Sequence, residues 1–236
     1  MPPVIIAHRT SPRDAPENSL EGIRRSAELG ADYVEVDVRL TRDGVPVMLH
    51  DGLLLRTTWR PWPISWATAK GLRRAKLRRS GEPVPTFAEA VAALPDGMGF
   101  AIDTKDPDAT DTVVEELQRQ GKLARSLLWA QSGRAVRRYV ELAAGDAPEV
   151  ALLRDALTPR DIDRFLADAV DFGATAVSAH QDSVDEVFIA RVHELGLKVH
   201  CWFQDLATQV RLATLPLDGI VTDWPEDARR RTRPAP

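Results

Sequence analysis

Short apolar runs alternate with amphipathic helical stretches from end to end of the 236 residues, and roughly eight such units fit that length. These observations predict an α/β protein, a (β/α)8 TIM barrel, with a short Trp/Pro-rich excursion after the third strand. The rival, an open doubly wound sheet, would place a glycine-rich phosphate loop after its first strand. Here that strand ends in His8-Arg9-Thr10 and a proline-containing loop. Residues 1–236 are read as one domain, because no internal repeat or low-complexity linker divides them.

Val4 to Ala7 is the first run, and Ser19 then caps a helix with apolar positions Leu20, Ile23 and Ala27 that stops at Gly30. In Val34-Glu35-Val36-Asp37-Val38 successive side chains point to opposite faces, so the valines pack one face and the two carboxylates share the other, about 7 Å apart. Asp37 to Pro46 is too short for a helical crossover, so Arg39 to Gly44 is expected to descend as an extended segment with a turn at Asp43-Gly44. Further runs are Phe100 to Ile102, Leu127 to Trp129, Val150 to Leu153, Ala176 to Ser178, Val199 to Trp202 and Gly219 to Val221. Between them, Thr158-Pro159 opens a helix with Ile162, Phe165, Leu166 and Ala169 on one face. Ser183 with Glu186 reads as a capping box for a helix carrying Val184, Val187, Phe188, Val192 and Leu195, ended by Gly196. With the run that ends at His50-Asp51 the runs number nine where a barrel needs eight, and the pattern does not say which one is not a stave.

Leu53 to Pro83 departs from the rhythm, with Trp59, Trp62, Trp66 and three prolines followed by Lys70-Gly71-Leu72-Arg73-Arg74-Ala75-Lys76. It reads as a hydrophobic plug for the barrel mouth in preference to a lid or substrate wall. A net charge of −4 with both signs spread along the chain argues against a nucleic-acid surface. Arg229, Arg230, Arg231 and Arg233 read as a solvated tail. The lone Cys201 permits no internal disulfide and is expected to pack as a small hydrophobe. No apolar run approaches the ~20 residues of a membrane span, and a cytoplasmic location without a transmembrane segment is the expectation.

Polar groups gather at the ends of the apolar runs: His8-Arg9, Glu35-Val36-Asp37, His50-Asp51 and Asp103-Thr104-Lys105. In a barrel such ends line one mouth. A carboxylate pair on a strand built for burial costs several kcal/mol of desolvation unless something positive compensates it. Glu35, Asp37 and Asp103 offer three oxygen ligands and no sulfur, which suits one hard divalent cation, Mg²⁺ or Ca²⁺, rather than Zn²⁺. His8 and His50 are then free for proton transfer, and Arg9 and Lys105 would attract an anion. Two imidazoles, a divalent ion and two cationic side chains fit cleavage of a phosphodiester.

The ordered series His8-Arg9, Pro16-Glu17-Asn18-Ser19-Leu20, Leu29-Gly30-Ala31-Asp32, Glu35-Val36-Asp37-Val38, Thr41-Arg42-Asp43-Gly44, Pro46-Val47, His50-Asp51 and Arg56-Thr57-Thr58 resembles the glycerophosphodiester phosphodiesterase family. Val84-Pro85-Thr86-Phe87 and Gly219-Ile220-Val221-Thr222-Asp223-Trp224-Pro225 extend the resemblance over nearly the whole chain. It implies a metal-dependent hydrolase that releases glycerol 3-phosphate and an alcohol from a small-molecule glycerophosphodiester. It places acid/base roles on His8 and His50, metal ligation on Glu35 and Asp37, and phosphate contacts on Arg9 and Lys105. Oligomeric state stays open.

The sequence departs from the family pattern at three places. The family's E-x-K strand is Asp103-Thr104-Lys105 here, a shorter acid shared with sphingomyelinase D-like phospholipases, so a lysophospholipase D-like activity on lipids stays open, as does a non-catalytic phosphodiester-binding protein. The glycine usual after His-Arg is Thr10, and the family's W-T-x-N is Trp202-Phe203-Gln204-Asp205. Trp202 shares a strand face with His200 and is divided between walling the glycerol site and core packing. Glu17 is assigned to orienting a group that touches the metal or substrate rather than to ligation. Asn18 is assigned to the first helix's start. An ion-pair network of Glu35 and Asp37 with Arg39 and Arg42 is the structural alternative to a metal site.

Overall fold

The computed structural model describes residues 2–143, 148–155, 157–203 and 205–233. Eight parallel strands close into a barrel: β1 (Val4–Ala7), β2 (Tyr33–Leu40), β4 (Gly99–Thr104), β5 (Ser126–Ala130), β6 (Glu149–Arg154), β7 (Ala176–His180), β8 (Lys198–Trp202) and β9 (Gly219–Thr222). Closure comes from β1, which pairs with β9 on one side and with β2 on the other. The ninth run is β3 (Pro46–Met48), which returns antiparallel along β2 with Val38 opposite Met48. The turn that allows it has Gly44 at φ 75° and the Thr41 N–H donating to the Val45 carbonyl at 3.1 Å. The turn at Asp43-Gly44 falls where expected, but the descent is corrected: Arg39 and Leu40 continue β2, and it is Pro46–Met48 after the turn that runs back down.

Period-two alternation sorts β2 and β4 into two layers. Val34, Val36, Val38, Phe100 and Ile102 face outward into the shell between barrel and helices, where Phe87, Val113, Leu117 and Val136 meet them. Tyr33 and Ala101 join the barrel interior with Ile6, Leu127, Trp129 and Val221. Glu35, Asp37 and Asp103 continue that inward row toward the mouth and are buried. Cys201 is buried in the outer shell, and burial pushes its thiol up to about 12.

The first helix starts where expected, with Ser19 Oγ accepting from the Gly22 N–H, and Thr158 forms a capping box with Asp161 at Pro159–Asp171. The Ser183 cap is corrected. The helix Glu186–Glu194 begins at Asp185, whose carboxylate accepts from the Phe188 N–H, while Ser183 bonds the backbone of Leu157. The two-residue shift turns Val187 and Leu195 outward and buries Phe188, Ile189 and Val192. The basic tail is not simply solvated either. Arg233 donates twice to Asp32, at 3.0 and 2.8 Å, and Asp32 also accepts from the Ile5 N–H, so the last helix is tied to the barrel floor.

The excursion forms a satellite core of its own from Leu54, Ile64, Leu72, Ala75, Leu77 and Val84 packed on Val47 and Leu49. Its tryptophans are not the plug. Trp59 and Trp66 are each 69% exposed and Trp62 is 39% exposed.

Candidate functional site

His8 is the first residue past β1, where the chain turns sharply through three consecutive left-handed residues, Arg9 (φ 41°), Thr10 (φ 62°) and Ser11 (φ 59°). Such a run is strained in non-glycine residues. Local bonds hold it: Thr10 Oγ1 accepts from the Ser19 N–H at 3.2 Å, and Ser11 Oγ shares a hydrogen bond with Ser26 Oγ at 2.9 Å. Gly22 leaves room for the turn, since a Cβ there would lie 2.3 Å from the Thr10 carbonyl oxygen. The turn aims the Arg9 N–H at Glu35 Oε2, 2.6 Å away.

Glu35, Asp37 and Asp103 offer oxygens that all lie within 4.8 Å of one another. Burial, with the neighbouring charges of Asp37 and Asp103, raises the Glu35 carboxyl well above its ordinary range. Burial acts on Asp37 in the same direction, but Lys105, Arg9, His50 and the Asn18 amide outweigh it and hold that carboxyl down to about 2. Asp103 is raised, mainly by burial. Lys105 Nζ lies 3.1 Å from Asp37 Oδ1 and bonds Asp103 Oδ2; Arg9 Nε lies 3.4 Å from Asp37 Oδ2. Asp103 Oδ1 is buried and without a partner. Three clustered carboxylates, one orphaned oxygen and a carboxyl driven toward protonation form a donor set suited to a hard divalent cation, despite the shorter Asp103 side chain.

Both histidines line the same mouth cleft as these carboxylates, together with Arg9, Lys105 and Trp202. His50 arrives on the descending chain after β3, not at the end of a barrel stave, and the Leu49 N–H bond to the Asp37 carbonyl at 2.9 Å fixes its level. Each imidazole has a carboxylate behind it. His8 Nδ1 is 2.7 Å from Asp223 Oδ1, and His50 Nδ1 is 2.7 Å from Asp51 Oδ1. Asp51 also accepts from Arg56 Nε at 2.6 Å, and Arg56 forks onto both oxygens of Glu17. Burial opposes the Asp51 charge, yet Arg56 and His50 hold its carboxyl at about 2. Glu17 therefore reaches His50 through Arg56 and Asp51.

The Glycerophosphoryl diester phosphodiesterase family model matches residues 8–227. The chain belongs to this family, and so to the phosphoric diester hydrolases. It is 34% identical over 233 residues to the Mycobacterium tuberculosis protein named "Probable glycerophosphodiester phosphodiesterase 2", covering 93% of this chain and 87% of that one. Among solved structures, a phosphodiesterase from Oleispira antarctica in complex with the product sn-glycerol-3-phosphate superposes with a TM-score of 0.85 at 23% identity, covering 98% of this chain and 96% of that one. A glycerophosphodiester phosphodiesterase from Agrobacterium tumefaciens gives 0.82 at 22% identity, covering 97% and 98%. At those identities the superpositions speak for the barrel.

Against the family pattern, Thr10 keeps a left-handed backbone where the family has glycine. The comparison at Trp202-Phe203-Gln204-Asp205 turns on Gln204, which lies outside the described residues. Trp202 lines the cleft, and its ring meets that of His180 edge-on with centroids 4.4 Å apart. The Arg39 and Arg42 network is overturned, because Arg39 is engaged by Asp106 and the His50 carbonyl. Asn18 is corrected too: its Nδ2 donates to Asp37 Oδ2 at 2.8 Å and its Oδ1 accepts from the Asp37 N–H at 3.0 Å, while Ser19 alone caps the helix. Sequence reasoning gave no role to Asp51, Arg56 or Asp223. Adjacency to His50 was a signal for Asp51, whereas nothing local links Asp223 to His8, 215 residues away.

Proposed function

We propose that this chain hydrolyses glycerophosphodiesters to glycerol 3-phosphate and an alcohol. The observation that carries the reading is the pair of imidazoles, each backed by a carboxylate at Nδ1, beside a buried carboxylate cluster with an orphaned oxygen. Glu35, Asp37 and Asp103 would hold the cation, Mg²⁺ or Ca²⁺. When bound, it would supply Lewis-acid neutralisation of charge on the phosphoryl group.

Since Nδ1 of each histidine is engaged, Nε2 is the nitrogen left for substrate. His8 takes the proton from the glycerol hydroxyl next to the phosphate. That oxygen bonds to phosphorus, the bond to the head-group oxygen breaks, and His50 protonates the departing alcohol. In the second half the roles reverse: His50 takes a proton from water as it opens the cyclic phosphate, and His8 returns one to the glycerol oxygen. Arg9 and Lys105 bind the phosphate oxygens, Trp202 walls the glycerol, and Glu17 with Arg56 and Asp51 fixes the His50 ring.

The test is glycerophosphocholine with Mg²⁺ or Ca²⁺ and an enzymatic readout for glycerol 3-phosphate. Product formation abolished by a chelator, with a deoxy analogue lacking the neighbouring hydroxyl left intact, is the expected result. Product that persists in chelator, or none from choline, ethanolamine and inositol esters alike, overturns the proposal. A lysophospholipase D-like activity is the second reading, supported by the exposed apolar side chains Leu53, Leu55, Trp59 and Trp66 in the segment that follows His50-Asp51, and lysolipid esters in the same panel test it.

A further inference from the structure

Charge and apolar exposure are both concentrated in the excursion, and apart from Arg56 the proposed hydrolysis of soluble glycerophosphodiesters uses neither. Residues 53–83 carry eight Lys/Arg against Glu82 alone, while the rest of the chain carries 23 basic and 34 acidic residues. Arg56 is consumed by Glu17 and Asp51, and Arg73 pairs with Glu89. The other six form no ion pair among the described residues. Of the ten exposed large hydrophobic side chains among the described residues, five lie between Leu53 and Trp66.

The two kinds of side chain meet on the surface of the excursion. Arg42, Arg60 and Arg74 line a single groove with Trp62 and Trp66. The Arg60 guanidinium lies 5.6 Å from the Trp62 ring and donates to the Arg74 carbonyl at 3.3 Å, and Arg78 stacks on Trp59 at 3.2 Å. A soluble domain that buries Leu54, Ile64 and Leu72 in the same short segment has no packing reason to leave three indoles in water.

We propose that the excursion docks on an anionic phospholipid surface, with the guanidinium and ammonium groups meeting lipid phosphates and the tryptophans and leucines entering the headgroup boundary. Amphipathic indole rings settle at that boundary, and each basic side chain near an anionic leaflet adds attraction. The exposed leucines favour lipid over nucleic acid, which would use the arginines and indoles but offers nothing to aliphatic side chains. Because the excursion begins just after His50-Asp51, docking would set the catalytic mouth beside the membrane.

The test is co-sedimentation of the full chain with vesicles of phosphatidylglycerol and of phosphatidylcholine, alongside tryptophan quenching by brominated lipid. Binding to phosphatidylglycerol vesicles that weakens with salt, and little binding to phosphatidylcholine, is expected. R60Q/R74Q should lower partitioning about 30-fold, and W59A/W66A should remove most of the quenching. Both variants should keep a native circular dichroism spectrum and hydrolysis of soluble substrate, so failure of docking is separable from failure of the proposed activity. Equal binding to both vesicle types, unchanged partitioning of folded R60Q/R74Q, or tighter binding to single-stranded oligonucleotide than to vesicles would overturn the proposal.

Discussion

Replacing Asn18 by alanine should be among the most damaging single changes outside the carboxylates themselves. Asn18 and Asp37 are both buried, and the two hydrogen bonds between them satisfy the Asp37 N–H and one Asp37 carboxylate oxygen. Orphaning a buried N–H costs about 1 to 3 kcal/mol, and a bond to a charged acceptor contributes about 1.5 to 3. Asn18 also sits at φ 53°, which alanine tolerates less well by about 1 kcal/mol. With some relief from water entering the vacated space, the expected loss is about 3 to 5 kcal/mol, a large share of a typical domain's stability. The assay is urea unfolding in chelator, so that the readout does not pass through the cation. Asn18→Gly keeps the backbone comfortable but loses both bonds, and should be less damaged than alanine by up to about 1 kcal/mol. Calorimetric titration of the folded variants should show cation affinity reduced about 10- to 100-fold. A loss below about 1 kcal/mol for Asn18→Ala, with unchanged cation affinity, would refute the reasoning.

Asp51→Asn removes the charge behind His50 and should lower kcat about 10- to 100-fold with little change in KM. Arg56→Lys, which keeps the charge but not the fork, should do less, and a rise in KM alone would count against the positioning role. On the barrel floor, the buried His200 ring bonds Glu149, which also pairs with Lys198. Burial opposes the Glu149 charge, but His200 and Lys198 hold its carboxyl down to about 2. A folded value below the unfolded one means that this stabilisation is complete above about pH 4.5 and is lost as pH falls toward 2. The stability gap between wild type and Glu149→Gln, measured by urea midpoints across that range, should therefore shrink on acidification; a constant gap would remove the argument.

The sequence by itself determined the barrel, the inward row of Glu35, Asp37 and Asp103, and the two histidines. Alternation in Val34 to Val38 assigns side chains to faces without knowledge of the neighbours, and a parallel barrel brings strand ends to one mouth whatever its details. Tertiary structure alone decided which of nine runs was the hairpin arm, because β3 and a stave carry the same short apolar signature. It also moved Asn18 from the helix start to Asp37, since a left-handed backbone turns the amide toward β2. Asp223 reaches His8 only because β9 pairs with β1 to close the barrel. The tryptophans of the excursion have the composition of a plug, yet the aliphatic residues beside them fill the space and leave the indoles in solvent. Local pattern fixes which face a side chain takes; which distant group it meets depends on closure, which no short stretch of chain encodes.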